Sequence, residues 1–97
     1  MSGPTSGPEI TSPALDPRRR RLLFRSWHRG IREMDLILGP FADAQLATLG
    51  DGELAEYEAW LDIPDQQFFA WLNGSQIAPP EIDTVMFRRL RDFHTVR

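Results

Sequence analysis

Apolar residues in this chain recur every three or four positions, and no segment alternates with period two. Ile31, Met34, Leu38 and Phe41 form one such series, Leu54, Tyr57 and Leu61 a second, and Ile82, Met86, Leu90 and Phe93 a third. A strand shows every second side chain to the core and a helix every third or fourth, so this pattern leaves helices as the building blocks. Gly and Pro then keep those helices short.

The first helix is predicted from about Pro17 to His28, with Asp16 as cap and Pro17 at the first position, where a missing N–H costs nothing. Its stripe is read as Leu22, Leu23, Phe24 and Trp27, with Arg18 to Arg21 and Arg25 facing water. The second is predicted from Ile31, kinked or ended by Gly39-Pro40, with residues 42–49 continuing as helix. The third starts at Gly50-Asp51-Gly52 with Asp51 as cap. The fourth carries Phe68, Phe69, Trp71 and Leu72 and stops at Asn73-Gly74, and the fifth opens at Pro79-Pro80. The fold class expected is all-α: a compact bundle of about five short helices, residues 17–97, preceded by a disordered tail, residues 1–16, crowded with Pro, Gly, Ser and Thr.

A domain of this size buries roughly 60% of its unfolded surface, which leaves little room for an enclosed active-site pocket and favours a function carried on the outside. The chain has no Cys, which excludes disulfides, thiolate zinc sites and thiol redox chemistry. No apolar run approaches the ~20 residues of a bilayer span, so no membrane insertion is expected. The first residues lack the charge and apolar core of a secretory leader and the Arg-rich amphipathic face of a mitochondrial one; the expectation is a bacterial cytoplasm rather than a mitochondrial matrix.

Charge is segregated along the chain. Residues 18–34 hold seven Arg against one carboxylate, Glu33, whereas residues 35–83 hold ten carboxylates and no cation. The run Arg18 to Arg21 invites a nucleic-acid reading, but the acidic middle would repel a duplex, and no helix face combines Arg with Asn or Gln. Glu53, Glu56, Glu58, Asp62 and Asp65 are read as a solvated face that could alternatively meet a basic partner. His28 and His94 have no ligand-spaced companions, so no metal site is expected, and the motifs of nucleotide-binding loops and nucleophilic catalysis are absent.

The segment from Trp27 to Asp35 holds the greatest density of recognition chemistry. Gly30 ends one helix or caps the next, and Glu33 falls in the first turn, where a carboxylate meets free amides. The same residues also suit docking, because a residue without a side chain lets a second backbone come close while Arg29, Arg32, Glu33 and Asp35 pair with it. The residues by themselves leave both readings open.

Arg29-Gly30-x-x-Glu33, followed by Met34-Asp35, resembles the Arg-Gly-x-x-Glu motif of the SdhE-type succinate dehydrogenase assembly factors, the flavinators. The resemblance extends through Leu38, Phe41, the helix from Glu53 to Leu61 and the Phe69-x-Trp71-Leu72 segment, about residues 20–93. His28 stands where many members carry another Arg, and Gly50-Asp51-Gly52 replaces the usual Ser-Asp cap. The resemblance implies a non-enzymatic helper that binds the flavoprotein subunit of succinate dehydrogenase or fumarate reductase and promotes covalent attachment of FAD. The chain itself is expected to hold no cofactor stably, because the FAD belongs to the partner, and to be a monomer when free. In that attachment a partner histidine attacks the flavin 8α carbon while negative charge collects near N1 and O2, and a helper contributes by preorganising the surrounding groups. Carried over by position, Arg29, Gly30 and Glu33 would lie in the contact surface, Gly30 permitting close approach and Arg29 and Glu33 ordering the partner's loops. Trp27, His28, Ile31, Arg32 and Asp35 would be their neighbours. The competing expectation is a helical regulator that binds nucleic acid or an antitoxin-like partner through Arg18 to Arg21.

Overall fold

The computed structural model describes residues 15–95; the expected tail, residues 1–16, lies almost wholly outside them. Five α-helices form the bundle among these residues: α1 (Pro17–Ser26), α2 (Arg32–Gln45), α3 (Asp51–Leu61), α4 (Asp65–Leu72) and α5 (Val85–Thr95). A single 3-10 turn, Leu46–Thr48, extends α2. The all-α bundle expected from periodicity is the fold observed.

Helix α1 begins as anticipated, with the Asp16 carboxylate accepting from the Arg19 amide and Pro17 in first position. It ends at Ser26, two residues before the predicted stop. Its buried residues are Leu22 and Ser26, with Leu23 packed at the core margin, while Phe24 is 63% exposed and so leaves the stripe assigned to it. The Ser26 hydroxyl donates to the Leu22 carbonyl at 2.7 Å and lies 2.5 Å from the Tyr57 hydroxyl, which joins α1 to α3 in the core.

Helix α2 runs through Pro40 without a break, where a kink or an end was expected, and continues into residues 42–45 as the alternative had it. Pro40 deprives only the Leu36 carbonyl of its intrahelical partner, and Leu36 is 53% exposed, on the outer side of the helix. The neighbouring Gly39 is buried beneath Trp27, and a Cβ there would sit 2.4 Å from the indole ring carbons. Gly39→Ala therefore gains helix propensity of about 1 kcal/mol and loses more by expelling the ring. A net destabilisation of about 1–3 kcal/mol is expected by urea unfolding; a variant as stable as the parent would show the ring to be replaceable.

Two other boundaries move. Gly50, not Asp51, caps α3, its amide donating to Glu53 Oε1 at 3.3 Å. Helix α5 begins at Val85 rather than at Pro79-Pro80, because the Pro79 carbonyl first accepts from Ile82 and Asp83 in a turn. The Thr84 hydroxyl then accepts from the Phe87 amide at 3.1 Å and donates to the Glu56 carboxylate. The stop of α4 at Asn73-Gly74 is as expected, with Gly74 at φ 83°, a conformation that favours glycine.

The core is aromatic and continuous. Phe41 stacks on Tyr57 at 6.2 Å, Tyr57 contacts Trp60 at 5.6 Å, Trp60 contacts Phe68 at 5.4 Å, and Phe68 meets Phe87 edge-on at 5.7 Å. Around it lie Leu22, Met34, Ile37, Leu38, Leu54, Met86 and Leu90, all buried. This rigid packing fixes the ends of α1 and α2 and hence the loop between them.

Candidate docking surface

The loop 27–31 is anchored from below by Asp65 at the first turn of α4. Arg29 Nε donates to Asp65 Oδ1 at 3.0 Å, and its terminal Nη2 lies 2.9 Å from the same oxygen and donates to the Leu61 carbonyl at 2.8 Å. The second carboxylate oxygen accepts from the Gly30 amide. The two side chains are only 10% and 12% exposed, so this ion pair lies largely out of water. From above, Asp35 Oδ1 accepts from the Arg29 amide at 2.6 Å. Two carboxylates thus hold one loop through both its backbone and its guanidinium.

Arg29 accordingly spends its guanidinium within the chain; its side chain positions the loop, and what remains for a partner is the backbone it holds. Gly30 is exposed, but its need for glycine is partly internal, since a Cβ would lie 2.9 Å from Asp65 Oδ2. Ile31 caps α2 with extended backbone and packs its side chain on the core. Asp35 serves the loop amide. Glu33, assigned that kind of role from its position, makes no hydrogen bond or ion pair among the described residues; it and Arg32 are exposed on the first turn of α2. Trp27 is half-buried over Gly39, with Nε1 donating weakly to Asp43 at 3.4 Å. His28 is exposed and stacks on Phe24 with ring centroids 3.8 Å apart; its Nδ1 lies 2.7 Å from the Phe24 carbonyl oxygen. The surface is therefore built of Gly30, Arg32, Glu33 and the His28–Phe24 stack, on a scaffold of Arg29, Asp35 and Asp65.

The acidic stretch is neither a merely solvated face nor a free site for a basic partner. Glu58 takes Arg18 at 2.6 Å, Asp62 takes Arg25 at 3.0 Å, Glu53 takes Arg89 at 3.3 Å, Asp65 takes Arg29, and Glu56 takes Thr84. The Arg18 fork, with Arg25 and Arg21 nearby, holds the Glu58 carboxyl below its ordinary value. Charge segregation along the chain is thus resolved by folding, which lays the basic ends against the acidic middle. Asp65, the anchor of this loop, is not singled out by its position in the acidic stretch; the signal available is a carboxylate directly after Pro64, at the start of a helix.

A family model described as the flavinator of succinate dehydrogenase matches residues 20–94. The chain belongs to this family. Among its relatives, the FAD assembly factor SdhE of Acetobacter pasteurianus is 36% identical over 96 residues, which cover 99% of this chain and 88% of that protein. Mitochondrial succinate dehydrogenase assembly factor 2 of Penicillium rubens is 41% identical over 68 residues, 70% of this chain and 21% of that protein. Its Dictyostelium discoideum namesake is 32% identical over 74 residues, covering 76% of this chain and 52% of that protein. The chain spans most of the bacterial relative and about half or less of these mitochondrial ones. The family match contains the whole Arg29-to-Glu33 segment and both carboxylates that hold it. No helix among the described residues is long and apolar enough to cross a membrane.

Proposed function

We propose that this chain is an assembly factor that grips the flavoprotein subunit of succinate dehydrogenase, or of fumarate reductase, and promotes covalent attachment of the partner's FAD. The observation that carries the reading is a pinned loop, within a flavinator-family chain, whose neighbouring Arg32 and Glu33 are exposed and make no hydrogen bond or ion pair among the described residues. A surface held in one shape costs little to order on binding, and unpaired charges on it are free to make strong charge-assisted bonds with a partner. The helper supplies no reacting group. It orders the partner's loops around the flavin and histidine, and the flavin stays with the partner. The free chain acts as a monomer in a bacterial cytoplasm. Of the Arg run once open to a nucleic-acid reading, Arg18 and Arg19 are spent on Glu58 and on the carbonyls of Leu46 and Leu49.

Co-expression with a succinate dehydrogenase flavoprotein tests this through in-gel flavin fluorescence after denaturation. The chain should raise the covalent signal, and Glu33→Ala should weaken partner affinity roughly 10- to 100-fold with helicity and melting temperature unchanged, the value of a lost bond to a charged group. Equal fluorescence with and without the chain would sink the reading. Gly30→Arg is a weaker probe alone, since it also presses on Asp65.

A further inference from the structure

Of the seven Arg between residues 18 and 34, α1 carries five, and folding neutralises them unequally. Arg18 pairs with Glu58, Arg19 with Asp16 and Arg25 with Asp62. Arg20 meets only an uncharged acceptor, the Leu15 carbonyl, at 2.7 Å. Arg21 forms no hydrogen bond or ion pair among the described residues and reaches Glu58 only by its field, and both are exposed. These two cations flank Phe24, an aromatic ring 63% exposed beside charged neighbours. Pro17, Arg20, Arg21, Phe24 and Arg25 together line an open groove of about 470 Å³ on the outer face of α1.

The groove spans nine helical residues, Pro17 to Arg25, or eight steps of 1.5 Å and about 12 Å, the length of three or four residues of extended chain. Its floor is apolar and its rim cationic. At its far end the Phe24 ring stacks on His28, so the groove is continuous with the surface around Gly30.

We propose that this groove takes an acidic, extended segment of the same protein partner, with one apolar side chain laid on Phe24 and carboxylates on Arg20 and Arg21. The inference rests on the docking surface proposed above and adds the chemistry of what extends beyond it. Charge complementarity argues for a peptide. Arg20 and Arg21 are too few to hold a duplex or an anionic bilayer, whose binding accumulates over many phosphates. A short carboxylate-bearing segment needs only two forks and an aromatic shelf.

The test measures binding of the full chain to the succinate dehydrogenase flavoprotein by surface plasmon resonance, at two salt concentrations. Arg20→Glu with Arg21→Glu should bind at least about tenfold more weakly, mostly through slower association, and Phe24→Ala should weaken binding through faster dissociation. A second arm titrates the peptide acetyl-Asp-Glu-Phe-Glu-Asp-amide into the isotope-labelled chain. Amide shifts should concentrate in residues 17–25 and vanish with the neutral Asn-Gln-Phe-Gln-Asn peptide. If Glu33→Ala weakens flavoprotein binding while the double reversal does not, the groove assignment is wrong and the docking surface stands. If neither changes binding, both are wrong. Anionic phospholipid vesicles or duplex DNA that perturb residues 17–25 more strongly than the acidic peptide also overturn the assignment.

Discussion

Asp65→Ala should destabilise the fold by about 3–5 kcal/mol in urea unfolding, because it leaves a largely buried guanidinium without its counter-charge. That is a large share of the roughly 5–15 kcal/mol that hold a domain together. Nothing nearby replaces the lost carboxylate: the remaining acceptors of Arg29 are the carbonyls of Leu61 and Arg25, at 2.8 and 3.5 Å, which carry no full charge. The Gly30 amide loses its acceptor as well. Replacing both partners by apolar residues, Arg29→Met with Asp65→Leu, should recover much of the loss, since the penalty lies in the unpaired charge more than in the missing attraction. A single-variant loss below about 1 kcal/mol would place the pair among solvent-screened surface bridges instead. The two experiments also separate positioning from contact. Neither Arg29 nor Asp65 offers much surface, so a repacked double variant that folds but no longer promotes flavin attachment would show that the loop needs its ionic anchor and not merely a stable bundle.

What could be read from the sequence was what neighbouring residues decide among themselves. The Met34, Leu38 and Phe41 stripe, the Asp16-Pro17 start and the Asn73-Gly74 stop depend on residues a turn or two apart, and each is found in place. Failures occurred where distant parts meet. Pro40, read as kinking or ending α2, does not end it, and Trp27, from another segment, packs across the same turn. Phe24 leaves the core because Leu22 and Ser26 occupy the buried arc of α1, with Ser26 held by Tyr57 31 residues away. The candidate site shows the same division. Arg29, Gly30 and Glu33 stood out by spacing and by family likeness. The partition of roles among them, Arg29 inward and Glu33 outward, follows from Asp65, 36 residues from Arg29 in sequence, and from the direction in which α4 delivers it. Folding likewise turned the acidic stretch from a surface into the counter-charge of α1 and α5. Charge sign along a chain states what must be neutralised; only the packing states by which group.

Above pH 10 the fold should lose stability at about 1.4 kcal/mol per pH unit, and one residue should account for the slope. Tyr57 is the chain's only tyrosine; there is no cysteine, and every basic side chain besides the two histidines is Arg, so no other side chain changes charge between about pH 9 and 12. Burial pushes the Tyr57 hydroxyl well above its ordinary value of 10.0, outweighing the Ser26 hydrogen bond and the nearby Arg29 charge. The hydrogen-bond geometry agrees. The Tyr57 hydroxyl has the Ser26 hydroxyl at 2.5 Å, where either group can donate, and the Leu38 carbonyl oxygen at 3.5 Å, an acceptor that only the protonated phenol can serve. The sign follows directly: the folded value is raised, so the contribution is fully present below pH 10 and declines as pH climbs toward the folded value, because only the unfolded chain releases the proton. Two pH units above 10 should therefore remove about 3 kcal/mol, and Tyr57→Phe should flatten the alkaline limb while leaving neutral-pH stability within about 1–2 kcal/mol of the parent. Urea midpoints recorded from pH 8 to 12, with phenolate absorbance read on the folded chain, decide the matter. A folded protein whose tyrosine titrates near 10 would mean that α1 and α3 part readily around Ser26, and that the Gly30 loop that follows α1 is held far less rigidly than its anchors imply.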